Sequence, residues 1–332
     1  MIEILKEIID IDSPSGYTDN VVDHIISMLP DNFIKEKTNK GALFVSSVKE
    51  PECVITAHID TLGAMVSGIN DDGTLRATQI GGWPVNSFEG EYCTVLTSNS
   101  KKHRGTFLLN NPAAHVNREV GSTARKMEKM HIRIDLKTSS VSDTRKAGID
   151  IGDFIFFDPR FEYTSSGFIK SRFMDDKAGA AVMIDILLNH SSAIAGKPVG
   201  FFFSNFEEVG HGARAGIPPT VKEMLVIDMG VVGNNVEGKE HSVSICAKDS
   251  SGPYDYTITN KLTALAKDNK LNYKRDVFPY YGSDGSAALM AGYNLRIGLI
   301  GPGVSASHGV ERTHIDGLKN TEKLVLSYID SL

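Results

Sequence analysis

Two adjacent carboxylates, Glu207 and Glu208, follow the apolar run 199–203 and precede a glycine-rich stretch through Gly210 and Gly212. Side by side at the end of a buried strand, two glutamates cannot both be solvated, and a metal cation is the partner that lets both stay ionised. Four other predicted strand ends carry side chains of metal-ligand type. His58 follows 53–57, Asp175 follows the segment 165–173, Asp228 follows 224–227, and His308 lies in a loop beyond 295–300. Strand tips of an open α/β sheet converge in space, so five donors from one sheet point to one site. Two histidines and three carboxylates suit two zinc-like ions with one carboxylate shared. Such paired ions sit ~3.5–4 Å apart and clamp the attacking and leaving oxygens of a hydrolysis.

Asp60 stands two residues beyond His58. On an extended segment the two side chains point the same way, which places Asp60 to accept the other ring N–H of His58 and fix its tautomer. Glu207, beside a ligand but not required for coordination, is the natural general base for the attacking water. Each residue also has a plainer reading. His58 alone reads as a satisfied core histidine, Glu207-Glu208 as an acidic turn, and Asp228 as an ordinary strand-end residue. Asp175-Asp176 also reads as a cap for a helix beginning near Lys177, and capping by Asp176 is compatible with metal binding by Asp175. His308 competes with His314. The glycine-rich setting favours His308 as ligand, and His314 reads as packing against or capping the last helix. Ser283-Asp284-Gly285 reads as a helix cap or as a wall near the substrate's amine. Glu311 reads as a partner of Arg312 or another loop group.

The elements that must present these residues alternate between strand and helix. Apolar positions 2, 5, 8 and 9 form one helical stripe, and 21, 22, 25, 26 and 29 form another. Strands are expected at 42–46, 53–57, 199–203, 224–227, 241–249 and 295–300. Helices are expected at 177–189, 254–267 and 315–332, and the stretch 301–314 reads as a glycine- and serine-rich loop. This alternation predicts an α/β domain with a mostly parallel mixed sheet flanked by helices. From 67 to 163 the pattern changes to short alternating segments separated by Gly, Asn and Ser, with a weak helical period at 120–130. That stretch is expected to be an inserted small β-barrel domain, leaving 1–66 and 164–332 as the catalytic domain.

The chain's 332 residues fit two domains, and 41% hydrophobic and 23% charged residues are ordinary for a soluble globular protein. A formal charge of −6 without a basic stripe argues against nucleic acid as a partner. No apolar run approaches the ~20 residues of a membrane span, and the N-terminus lacks the basic start of a cleavable signal. Three cysteines without C-x-x-C spacing read as reduced core thiols, so a cytoplasmic location is expected.

AHIDTLG, RFMDDKAG, FEEVGHGA, VIDMG and SHGVERTH, in this order and spacing, resemble the tetrahedral aminopeptidase (glutamyl aminopeptidase) family of di-metal peptidases. The resemblance covers nearly the whole chain, including IGGW at 80–83 and NPAAH at 111–115. It implies that one ion takes His58 and Asp228, the other takes Glu208 and His308, and Asp175 bridges. It further implies that Glu207 is the base, that Asp60 supports the histidine ligand, and that a cis peptide follows Asp175. Two divalent ions per subunit are then expected, with zinc, cobalt or manganese all suited to these ligands. The family also implies short peptide substrates and a homo-oligomer, typically a twelve-subunit tetrahedron. Thr61 stands where many members have Glu, and His211 where many have Arg between the two glycines, so no side-chain preference is carried over.

The expected activity is release of N-terminal residues from short peptides. A carboxypeptidase or deacylase on the same scaffold would need a cation placed to grip a substrate carboxylate, and none stands out. Glycoside hydrolysis would need two carboxyl groups facing each other across a sugar ~5–9.5 Å apart, which adjacent glutamates do not provide.

Overall fold

The computed structural model describes residues 1–332, and the chain divides into two compact units, Met1–Thr61 with Arg160–Leu332 and Leu62–Pro159. In the first unit a sheet of twelve strands runs along the path Ile34–Lys37, Leu43–Ser46, Val199–Ser204, Cys53–His58, Glu223–Ile227, Arg296–Ser305, Glu311–His314, Phe168–Ser171 and Glu162–Tyr163. Gly230–Val232 and Val243–Lys248 pair with Arg296–Ser305, and Tyr273–Val277 pairs with Val243–Lys248. Four neighbours on the path, Val199–Ser204, Cys53–His58, Glu223–Ile227 and Arg296–Ser305, are mutually parallel. Parallel strands are covered on both faces and so read as continuous apolar runs.

Alternation along these strands divides the core. Ile55, Phe201, Phe203, Leu225 and Ile227 join the cluster that includes the helices Ile2–Ile9, Asp19–Met28, Met174–Asn189 and Ile315–Asp330. Val54, Phe202, Met224 and Val226 join the opposite cluster with Ala213, Ile217 and Ala288. Met174–Asn189 is buried from Met174 through Leu187, with small and apolar residues on every side between Ala178 and Ile184. Its one buried cation, Lys177, donates from Nζ to the carbonyls of Ile8 (2.7 Å) and Ile11 (2.8 Å). Burial pulls that ammonium down to about 7.

The stretch 301–314 differs from the loop expected for it. Strand Arg296–Ser305 continues through Gly301, Pro302 and Gly303, and Glu311–His314 is a further strand, leaving His308 in the turn between them. The glycines permit close backbone approach. A Cβ on Gly301 would stand 1.6 Å from the Asp228 carbonyl oxygen, and one on Gly303 2.2 Å from that of Lys239.

The second unit is a closed six-strand antiparallel barrel of Gly63–Ile69, Leu75–Ile80, Met130–Ile134, Lys102–Leu109, Tyr92–Leu96 and Phe154–Phe157. Trp83 packs its ring 4.3 Å from Phe88, also meets Phe107 and Phe157, and donates Nε1–H to the Gly63 carbonyl (2.9 Å). The unit lies a few residues earlier than the expected 67–163. Its first strand begins at Gly63, and Glu162–Tyr163 pairs with Phe168–Ser171 in the other sheet. The weak helical period at 120–130 is only the single turn Met127–Lys129 before a strand. No helix is long and apolar enough to cross a membrane.

Candidate metal centre

The five expected ligands emerge at one edge of the sheet. His58 ends its strand, Asp228 follows Glu223–Ile227, Glu208 lies in the turn after Val199–Ser204, Asp175 opens Met174–Asn189, and His308 sits in the turn before Glu311. Parallel registers align these ends, with Ser204 opposite His58 and Ile227 opposite Ile300. Three turns put bulky residues at positive φ, Phe173 at 67°, Phe206 at 63° and His308 at 61°. Non-glycine residues rarely adopt this region, and such strain gathers at sites that the surrounding structure holds in place. The peptide bond between Asp175 and Asp176 is cis.

The two oxygens of Asp175 face different histidines: Oδ1 lies 3.1 Å from His58 Nε2 and Oδ2 lies 3.3 Å from His308 Nε2. Glu208 Oε2 is 3.7 Å from His308 Nε2. His58, Asp175 and Asp228 form one group, and Asp175, Glu208 and His308 another, with the offered ligand atoms of each group within 4.8 Å of one another. Asp176 turns away, its Oδ1 accepting the Gly179 N–H (3.2 Å) as a cap on the helix that follows.

Charge in this cluster is unbalanced. Burial opposes ionisation of Asp175, but contacts with His308 and His58 outweigh it and hold the carboxyl below its usual range. Burial, then the Asp175 charge, pushes Glu208 well above its usual value and Asp228 up to about 8. Glu208 Oε1 is buried without a hydrogen-bond donor. Carboxylate oxygens and imidazole nitrogens are the donors that zinc, cobalt and manganese accept, and an orphaned buried oxygen among like charges is what a cation would satisfy. The residues of both groups therefore fit divalent cations.

Glu207 belongs to neither group. Its Oε2 lies 3.8 Å from His58 Nε2 and its side chain is 16% exposed. Burial first, then the charges of Asp228, Asp284 and Glu208, raise its proton affinity. Asp60 makes more than its expected contact. His58 Nδ1 is 3.0 Å from the Asp60 backbone carbonyl but 3.6 Å from the carboxylate. That carboxylate also accepts the backbone N–H groups of Glu207 (3.1 Å, Oδ1) and Glu208 (3.3 Å, Oδ2), with Ser15 Oγ–H also on Oδ2. The ring N–H of His58 is thus nearest the main chain with the carboxylate still within ion-pair distance, and the same acid holds the turn that carries the two glutamates.

Other residues stand around the donor groups, and of these Lys40 carries no sequence signal. Asp284 is buried and accepts from Ser204 Oγ, Thr56 Oγ1 (3.2 Å) and Ala213 N–H (2.8 Å). Lys40 donates to the carbonyls of His211 (2.5 Å) and Gly212 (2.7 Å). Ser283 caps Asp284–Met290 in a capping box with Ser286. His314 caps the last helix through Nδ1, which accepts the Asp316 N–H, while its Nε2 is 3.0 Å from the Ser166 carbonyl. His314 also groups with His241 and Asp316, but with both ring nitrogens engaged it has no lone pair for an ion. Arg312 pairs with Glu240, so Glu311 has no bond to its neighbour; successive strand residues face opposite sides. His115 is exposed.

The sequence profile described as M42 glutamyl aminopeptidase matches residues 41–324. A putative aminopeptidase of Bacillus subtilis (strain 168), YhfE, is 43% identical, over 99% of this chain and 97% of its own length. Among solved structures, the TET1 peptidase of Pyrococcus horikoshii, described as assembling into a tetrahedron or a large octahedral shell, superposes with a TM-score of 0.88. It is 23% identical, and the match covers 100% of this chain and 99% of that one. An endoglucanase structure from Thermotoga maritima is similar at a TM-score of 0.72 and 19% identity, over 98% of this chain and 96% of that one. At these identities the two structures speak to the fold.

Proposed function

The chain belongs to the M42 glutamyl aminopeptidase family, and from that premise we propose a metal-dependent aminopeptidase that releases N-terminal residues from short peptides, with Glu207 as general base. One observation carries the reading: the two oxygens of Asp175 address two histidines, each in its own donor group, while Glu207 stands beside them uncommitted. His58, Asp228 and Asp175 would hold one ion, and Glu208, His308 and Asp175 the other. Divalent ions bound there supply Lewis acidity toward the scissile carbonyl and a water molecule. Glu207 takes a proton from the attacking water at its carboxylate and returns it to the departing amine. Asp60 fixes where that carboxylate stands by holding the Glu207 and Glu208 N–H groups. The acid-rich wall favours a substrate's free ammonium over a carboxylate, which supports an aminopeptidase over a carboxypeptidase. Glycoside hydrolysis is disfavoured because the acids converge on imidazoles.

The shell-forming neighbour supports a homo-oligomer, proposed as a twelve-subunit tetrahedron admitting short peptides. Three buried free thiols support a reducing cytoplasmic setting. The test is a panel of aminoacyl-p-nitroanilides with zinc, cobalt or manganese restored after chelation, comparing wild type with Glu207→Gln. Loss of a positioned base costs ~10²–10⁴-fold in kcat, with metal content unchanged. Normal turnover by Glu207→Gln removes the proposed base, and cellulase activity indifferent to chelator overturns the peptidase chemistry.

A further inference from the structure

Glu311 opens the strand Glu311–His314 and is buried, 1% exposed. Its place follows from two registers. It stands three residues beyond His308, and across the antiparallel ladder it pairs with Ser171, three residues before Met174. One side chain can therefore reach both turns. Oε1 accepts the His308 N–H (3.0 Å), and Oε2 accepts the N–H groups of Met174 (2.7 Å) and Asp175 (3.3 Å). All three contacts are backbone donors, which an ionised carboxylate satisfies and an amide would not, because an NH₂ group would face an N–H. The acid stands in a buried cluster that already holds Asp175, Asp228 and Glu208. A neutral residue there would relieve repulsion, so an acid at this place is explained by what its two oxygens grip.

We propose that Glu311 is a positioning residue of the metal centre, a carboxylate clamp that joins the turn carrying the shared ligand Asp175 to the turn carrying His308. The inference rests on the two-ion reading of the site. With both turns tied to one side chain, the group Asp175, Glu208 and His308 is organised before an ion arrives. The group His58, Asp175 and Asp228 depends on the clamp only through Asp175. Glu311 touches no ligand atom and donates no proton; it acts through main chain alone.

The experiment is a competition titration of the metal-free full-length chain with zinc against a chromophoric chelator, on wild type, Glu311→Gln and Glu311→Ala. Thermal midpoints of the metal-free proteins and the visible spectra of the cobalt-loaded ones complete it. Outer-shell partners of metal ligands typically contribute 10–100-fold to affinity. The expected result is a loss of that size in at least one of two zinc steps for Glu311→Gln, a changed cobalt spectrum, and a metal-free midpoint unchanged or raised. A general structural role would lower midpoint and affinity together, and that result overturns the proposal, as does unchanged affinity at both steps. If wild type takes up no zinc, the two-ion reading itself fails. Should the alanine variant not fold, hydrogen exchange on the metal-free wild type still decides. The amides of Met174 and His308 are protected if the clamp exists without ions, and exchange at open-loop rates if it does not.

Discussion

Asp60→Asn separates two roles that the position could have. The wild-type carboxylate is fully buried and accepts three donors: Glu207 N–H on Oδ1, Glu208 N–H and Ser15 Oγ–H on Oδ2. Asparagine keeps the shape but turns one oxygen into an NH₂ group. The Ser15 hydroxyl can rotate to accept, but a backbone N–H cannot, so either amide orientation sacrifices Glu207 or Glu208. Hydrogen bonds to a charged acceptor contribute about 1.5–3 kcal/mol each. Expressed in the transition state through a displaced Glu207, that is roughly one to two decades in kcat. The contact of His58 Nδ1 with the Asp60 carbonyl, 3.0 Å, is untouched by the substitution. The expected outcome is therefore a fall in kcat on an aminoacyl-p-nitroanilide, KM within about twofold, and wild-type metal content by atomic emission. Loss of metal with the fall would refute the reasoning, because the acid would then be acting on the His58 ring. Wild-type kcat would refute it equally.

Gly212→Ala places a Cβ 2.1 Å from Asp284 Oδ1 and 3.2 Å from Glu207 Cα. Asp284 is held by three donors and has nowhere to go, so overpacking of about 1–3 kcal/mol is expected as a lower Tm together with lost turnover; wild-type values for both would show that the loop yields freely. Glu322 lies 3.2 Å from His190 Nε2, and burial first, then Asp185, pushes its carboxyl from the ordinary 4.5 up to about 7. The folded state binds that proton more tightly than the unfolded state, so its contribution to stability declines as pH rises from about 4.5 to about 7 and is flat above. Glu322→Gln should exceed wild type in Tm above about pH 7 and lose the advantage below about pH 4.5, whereas a gain independent of pH would contradict the assignment.

Much of the centre was legible because its donors are chemical types at strand ends. A short run of β-branched and aromatic residues such as 199–203 reads as a buried strand, and the residues that follow it then lie at the strand's carboxyl end. The barrel was legible for a similar reason, since short alternating segments between turn residues cannot pack as helices. Contacts made by main chain were not legible. Asp60 reads as a partner for His58 because sequence spacing describes side-chain directions; its carbonyl stands closer to the ring than its carboxylate does, 3.0 against 3.6 Å, and its hold on the Glu207 turn leaves no trace in the spacing. The strand through Gly301 and Gly303 looked like a loop because glycine marks flexibility unless a neighbouring chain is known to press on it, as Asp228 and Lys239 do here.

Glu311 shows where the division lies. From the order of residues alone it is an acid beside an arginine, and its attachment to Met174 and Asp175, more than a hundred positions earlier, follows only from the pairing of Glu311 with Ser171. Residue types and their periodicity determined which elements form and which donors stand at their tips, because local sterics and apolar patterning decide those. Tertiary structure decided which backbone groups those donors meet. Strand register depends on the whole sheet, and a hydrogen bond formed across it leaves no mark in the neighbouring sequence.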